Sequence, residues 1–294
     1  MKKIQLALIQ QSFGSNREEN IAHSLQALRQ AAAQGAELIV LPELHCTPYF
    51  CQTQNPANFD LAEEIPGPTS EIFSRCAREL GVVLVISLFE RRGAGLYHNT
   101  AVVIERDGTI AGRYRKNHIP DDPGYNEKFY FTPGELGFHP IPTSVGKLGV
   151  LICWDQWFPE AARLMALAGA ELLLYPTAIG FDPADSPAIQ QRQLEAWVTI
   201  QRGHAIANAL PLAAVNRTGF EAHPDKGSEG IDFWGSSFIC GCQGEILAQA
   251  GKAKEEQISY EVDLEYSEKV RRSWPFFRDR RTDAYQDLLK HYRD

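Results

Sequence analysis

The sequence predicts an α/β fold, a sandwich with well-buried sheets, on three observations. First, one punctuation pattern occurs twice. A helical stretch stops at glycine, Ala-Glu-Leu follows, and a short apolar run ends in proline, at "GAELIVLP" (35–42) and again at "GAELLLYP" (169–176). Short apolar runs bounded by turn residues read as strands buried on both faces. Second, strand-like segments with hairpin signals lie between and after the two copies. Third, no stretch of low complexity interrupts the pattern, so residues 1–294 are expected to form a single domain of two similar halves.

The elements follow in order. "MKKIQLALIQQ" carries an apolar run broken by Gln5 and stopped by Gln10 and Gln11, which predicts a first strand and not a signal peptide. "NREENIAHSLQALRQAAAQ" (16–34) has apolar residues at helical spacing and ends before Gly35. "VVLVISLFER" (82–91) and "HNTAVVIERDGTIAGRYRK" (98–116) predict strands, with Asp107-Gly108 as a hairpin turn. In "KLGVLICWDQWFPEAARL" (147–164) an apolar run ends at Cys153, and Pro159 sits where a helix would begin. "FWGSSFICGCQGEILAQA" (233–250) predicts another hairpin. Residues 266–294 mix bulky aromatics with arginines, and this tail is expected to pack on a neighbouring subunit.

Composition narrows the function. The 294 residues are 44% hydrophobic with a formal charge of −8, and only "RDRR" near the end concentrates basic residues. A nucleic-acid surface is not expected, and an acidic chain suits a small cationic ligand. No apolar stretch approaches the roughly 18 residues of a membrane helix. The six cysteines are scattered and lack histidines at ligand spacing, so neither a zinc site nor a disulfide framework is expected. A reduced, cytoplasmic setting follows.

Four residues carry candidate chemistry. Cys153 stands in a strand-to-helix turn, where a thiol is either a core residue or a nucleophile exposed at a sheet edge. In the second case the nearby helix start is expected to favour the thiolate. Glu43 ends a buried strand, where a carboxylate removed from water suits proton transfer; an exposed loop carboxylate is the other reading. Lys116 follows the second hairpin strand and is either a solvated lysine or a cation where an oxyanion forms. Glu127 either pairs at the surface with Lys128 or joins Lys116.

Together these segments resemble the nitrilase superfamily, whose amidases use a Glu–Lys–Cys triad. Its three short motifs occur in order: "LIVLPEL" around Glu43, "YRKNHIP" around Lys116 and "LGVLICWDQWFPEAARL" around Cys153. The resemblance runs from the first strand to the tail. It implies a four-layer α-β-β-α sandwich of the nitrilase type, built of two similar halves. It also implies Cys153 as nucleophile, Glu43 as general base, and Lys116 with the Trp154 N–H as oxyanion donors. Glu127 would orient Lys116 and the substrate nitrogen. No metal or organic cofactor is required, and a homo-oligomer is implied.

Three further segments, "HIPDDPGYNEKFYFTPGE", "CWDQWFPEAARLMALAGAELLLYPTAIG" and "RRSWPFFRDRR", are similar to the branch of the superfamily that hydrolyses N-carbamoylputrescine. That branch implies a pocket reading an ammonium; Asp121 and Asp122 lie on the loop between Lys116 and Glu127, and either one of them faces that ammonium or both cap the loop in solvent. "YPTAIG", with Thr177 and Ala178, would form the pocket wall, and Tyr49, Tyr125 and Trp154 could pack the butyl chain. Two alternatives remain at this point. One is an amidase for an N-carbamoyl amino acid or small aliphatic amide, which a basic residue at the far end of the pocket would favour. The other is a catalytically inert member acting as a binding module.

Overall fold

The computed structural model describes residues 2–225 and 230–293. The first sheet has six strands in the order β15-β1-β2-β3-β4-β5, namely Glu256–Asp263, Lys3–Gln10, Leu38–Val40, Val83–Gly93, Leu96–Ile104 and Ile110–Arg115. The second, also of six, runs β14-β13-β10-β8-β7-β6: Ile246–Gln249, Phe238–Cys240, Leu212–Val215, Leu172–Pro176, Gly146–Val150 and Ile141–Thr143. Three short strands, β9 (Gly180–Phe181), β11 (Thr218–Glu221) and β12 (Ile231–Trp234), form a small third sheet.

The two large sheets share one plan. From β15 the neighbouring pairs run antiparallel, parallel, parallel, antiparallel, antiparallel, and from β6 they run the same way. The repeated Gly-Ala-Glu-Leu segments lead into equivalent strands, β2 and β8. Both glycines are left-handed, Gly35 at φ +90° and Gly169 at φ +91°, as the exit from a helix into a tight turn requires. The repeated glutamate is equivalent too. Glu37 accepts the Gln5 N–H of β1 at 3.1 Å, and Glu171 accepts the Lys147 N–H of β7 at 2.7 Å.

Strand alternation sets the layers. Leu6 and Leu8 of β1 pack with Val40, Val85, Leu148, Val150 and Leu174 between the sheets. Their neighbours Ala7 and Ile9 face the other way, onto Leu28 of α1 (Arg17–Ala33) and Phe73 of α2 (Pro68–Leu80). A short α3 (Glu127–Tyr130) precedes α4 (Pro159–Leu167) and α5 (Pro187–Asn208). Met165 of α4 and Trp197 of α5 pack on the second sheet. The result is the expected four-layer α-β-β-α sandwich. Each fully buried aliphatic side chain contributes about 1.5–3 kcal/mol to it.

Local signals were sound. Asn16 caps α1 by accepting the Glu19 N–H at 3.2 Å, and Pro159 opens α4. No helix of the described residues is long and apolar enough to cross a membrane. In the tail, α6 (Tyr266–Ser273) gives way to short 3₁₀ turns, and Trp274, Leu289 and Tyr292 stand 63%, 95% and 82% exposed.

Candidate active site

Each candidate catalytic side chain lies just beyond a strand's C-terminal end or on the short helix nearby. Glu43 follows β2, Lys116 follows β5 directly, Cys153 follows β7, and Glu127 opens α3. The two halves meet here, where the Glu43 N–H donates to the carbonyl of Thr177 beyond β8 at 3.3 Å. Lys116 extends the hairpin, donating its N–H to Asn99 O at 2.9 Å. Its carbonyl accepts from Gly134 at 2.8 Å. A Cβ on Gly134 would stand 2.1 Å from Arg115 O, so the Pro-Gly turn must carry glycine there.

Lys116 Nζ donates to Glu43 Oε1 at 2.8 Å and to Glu127 Oε2 at 2.7 Å, and all three side chains are fully buried. Asn99 adds a donor to Glu43 Oε1 at 2.6 Å, and the Tyr49 hydroxyl donates to Glu127 Oε1 at 2.6 Å. Glu127 therefore joins Lys116 and not a surface pair with Lys128. Glu43 Oε2 has no partner among the described residues, which leaves one carboxylate oxygen free to take a proton.

Two carboxylates share one ammonium, and the electrostatics follow from that imbalance. Burial alone would lower the Lys116 pKa, but the charges of Glu127 and Glu43 outweigh it and hold it well above 10.5. Burial pushes Glu127 up to about 7, with Glu43 adding to the rise and Lys116 opposing it.

Cys153 is buried and sits at φ +43°, in the left-handed region that a residue with a Cβ enters at a cost of about 1–3 kcal/mol. The strain marks a sharp elbow between strand and turn. Asp155, two residues on, braces that elbow. Its Oδ2 accepts the Ile152 N–H and the Tyr114 hydroxyl, both at 2.9 Å, and its Oδ1 accepts the His118 N–H at 3.1 Å and lies 2.7 Å from His118 Nδ1. The segments around Lys116 and Cys153 are thus tied through one buried carboxylate.

One expectation is corrected. The turn was expected to favour the thiolate. Burial instead raises the Cys153 thiol well above its ordinary 9.0, Glu43 raises it further, and Lys116 only partly offsets them. A 3₁₀ turn, Cys153–Trp157, follows the thiol, and α4 begins only at Pro159. Cys153 therefore rests protonated and needs a base. Trp154 is the second residue of that turn, so its N–H has no acceptor within it and is available to a developing oxyanion.

A cavity of about 410 Å³ opens beside the thiol. Trp154, Tyr125, Ala178 and Asp122 line it, as the sequence led us to expect. Asp121 does not; it is exposed on the loop while its neighbour turns inward. Thr177 does not either. Its hydroxyl donates to Tyr175 O at 2.9 Å behind the wall, and the adjacent Ala178 faces the cavity and offers its carbonyl to Cys153 Sγ at 3.7 Å. Tyr49 packs behind Tyr125, ring centroids 5.5 Å apart, and serves Glu127 instead of lining the cavity. The sequence reading missed Trp157, Asp182, Asp185 and Gln193 in the lining; the two aspartates lie just after "YPTAIG", a signal that was available.

A thiol and an open N–H at a cavity, with a carboxylate that has a free oxygen and a buried ammonium close enough for their charges to act on the thiol, are the parts that acyl transfer from an amide needs. The chain belongs to the carbon-nitrogen hydrolase family, whose model matches residues 5–272. It is thus an amide-hydrolysing enzyme of the nitrilase superfamily. Among characterised proteins it is 44% identical to an N-carbamoylputrescine amidase of Arabidopsis thaliana over 98% of this chain and 96% of that one. It is also 43% identical to a citrullinase of Francisella tularensis over 99% of this chain and 100% of that one. The crystal structure of a carbon-nitrogen hydrolase from Helicobacter pylori G27 superposes with a TM-score of 0.96 at 55% identity, covering 99% of this chain and 100% of that one.

Proposed function

We propose that the enzyme hydrolyses N-carbamoylputrescine to putrescine, carbon dioxide and ammonia through an S-carbamoyl intermediate on Cys153. Glu43 takes the thiol proton as sulfur attacks the carbamoyl carbon. Lys116 Nζ and the Trp154 N–H receive the oxyanion, each such donor supplying about a hundredfold or more in rate. Glu43 returns the proton to the leaving nitrogen, and putrescine departs. Water, losing its proton to Glu43, then attacks the thioester. Carbamate leaves and breaks down to carbon dioxide and ammonia, and the thiol regains its proton. Glu127 holds Lys116 and orients the substrate nitrogen. In this role the enzyme supplies putrescine for polyamine synthesis from agmatine.

The observation that carries the substrate is the sign of the cavity. Asp122, Asp182 and Asp185 line it, and among the described residues no lysine or arginine does. An ammonium at the far end of a butyl chain is matched by that lining, whereas a carboxylate would need a cation. Citrulline, named by one relative, carries both charges and is the second reading. Ammonia release should be much faster from N-carbamoylputrescine than from citrulline or N-carbamoyl-β-alanine at equal concentration. Preference for either amino acid would overturn the reading of the carboxylates and leave the triad standing.

The same proposal includes a single domain and a homo-oligomer. The exposed Trp274, Leu288, Leu289 and Tyr292 of the tail give it an apolar surface to bury on a second copy. Elution on size exclusion at micromolar concentration should correspond to a dimer or larger; a monomer would sink this part.

A further inference from the structure

We propose that Arg217 and Glu221 are positioning residues for the hydrolysis: one buried ion pair sets the place of both active-site glutamates. The inference rests on reading Glu43 and Glu127 as the acting carboxylates. Arg217 follows β10 and its side chain is fully buried. Its guanidinium donates to three carbonyls of the segment that carries the base: Nε to Glu43 O at 3.1 Å, Nη2 to Leu44 O at 2.5 Å and Nη1 to Thr47 O at 3.0 Å. Leu44 sits at φ +50°, so the chain is held in a strained turn immediately after the base. Three carbonyls turned toward one cation are what keep it there.

The second arm runs through Glu221. Its Oε1 accepts from Arg217 Nη1 at 2.8 Å, and its Oε2 accepts the Tyr49 N–H at 2.5 Å. The Tyr49 hydroxyl in turn donates to Glu127 Oε1 at 2.6 Å. The guanidinium also lies over the rings of Phe13 at 4.7 Å and Tyr49 at 5.9 Å, which fixes its plane. One cation thus reaches Glu43 through its own carbonyl and Glu127 through Glu221 and Tyr49. Stability alone does not call for this arrangement, because a buried ion pair is commonly no better than apolar packing of the same volume. What it supplies is a fixed separation of two carboxylates around Lys116.

Glu221→Gln tests this with little change of volume. An amide oxygen can accept from Arg217 or from the Tyr49 N–H, and its NH2 then opposes the remaining donor, so the relay is cut. The expected result is a kcat lower by about 100-fold, the effect of a small displacement of catalytic groups. The acid limb of the pH–rate profile should also move to higher pH, because the Tyr49 hydroxyl favours the ionised form of Glu127. Tyr49→Phe should reproduce the shift of the acid limb. Arg217→Lys, which lacks the planar fork, should lower kcat further. The assay uses whichever carbamoyl compound the wild-type enzyme turns over, so an error in the substrate leaves this test intact. A folded Glu221→Gln enzyme with wild-type kcat overturns the proposal. So does one that loses rate with its acid limb unmoved, since that is mere loosening. If Glu221→Gln fails to fold, Arg217→Lys decides: a lowered kcat with a shifted acid limb supports the relay, and a wild-type kcat or an unmoved limb refutes it.

Discussion

Cys153→Ala is expected to abolish turnover, by about 10⁶-fold, the scale on which a hydrolase loses rate without its nucleophile. The reason lies in how little else in the cavity can replace sulfur. Glu43 carries the free oxygen, but that oxygen is the proton acceptor, and its partner Oε1 is already held by Lys116 and Asn99. A water left in the space of Sγ would have to attack a carbamoyl carbon directly, without the thioester that divides the reaction into two easier steps. The fold should survive. Alanine tolerates φ +43° as well as cysteine does, and one missing sulfur in a buried site costs about 1 kcal/mol. The measurement is ammonia release beside circular dichroism and Tm. Residual turnover within about a hundredfold of wild type, in protein free of wild-type contamination, would remove Cys153 from the nucleophile's role.

How far the sequence could be read is clearest at particular residues. The duplicated Gly-Ala-Glu-Leu segment announced two equivalent halves, because helix exit, glycine and strand entry are local signals. Cys153, Glu43 and Lys116 stand out because each comes at or just beyond the end of a strand, and strand ends are where sites collect. Arg217 gave no such signal. Apart from Glu221, its partners Glu43, Leu44 and Thr47 lie 174, 173 and 170 residues away, and nothing in "VNRTGF" marks a buried arginine. Tyr49 was noticed as an aromatic but given to the substrate, since its bond to Glu127 spans 78 residues. The neighbours Asp121 and Asp122, and Thr177 and Ala178, were grouped together. Only one of each pair reaches the cavity, Asp122 and Ala178, and which of two adjacent loop side chains turns inward is set by tertiary contacts that the sequence does not display. The thiol's protonation is hidden for a different reason: a helix start is legible in sequence, whereas complete burial and a carboxylate brought in from a distant segment are not.

Lys116→Met is the second large effect, and it acts on rate and stability together. Among the described residues the ammonium is the only cation bonded to the carboxylate groups of Glu43 and Glu127, at 2.8 and 2.7 Å. Without it two buried carboxylates face each other uncompensated, a change that costs about 3–5 kcal/mol of stability. The oxyanion also loses its charged donor, so kcat should fall by about 10³-fold in the protein that remains folded. The pH dependence separates this cause from a simple packing defect. Lys116 lowers the Glu127 pKa, so its removal raises a group that burial already holds near 7, far above its ordinary 4.5. Above pH 4.5 the unfolded chain then binds fewer protons at this position than the folded one, and stability falls as pH rises through that window. The loss in Tm relative to wild type should therefore be smaller at pH 5.5 than at pH 8. An equal loss at both values would mean that methionine merely packs badly, and that the charge balance around Lys116 is not what holds the site together.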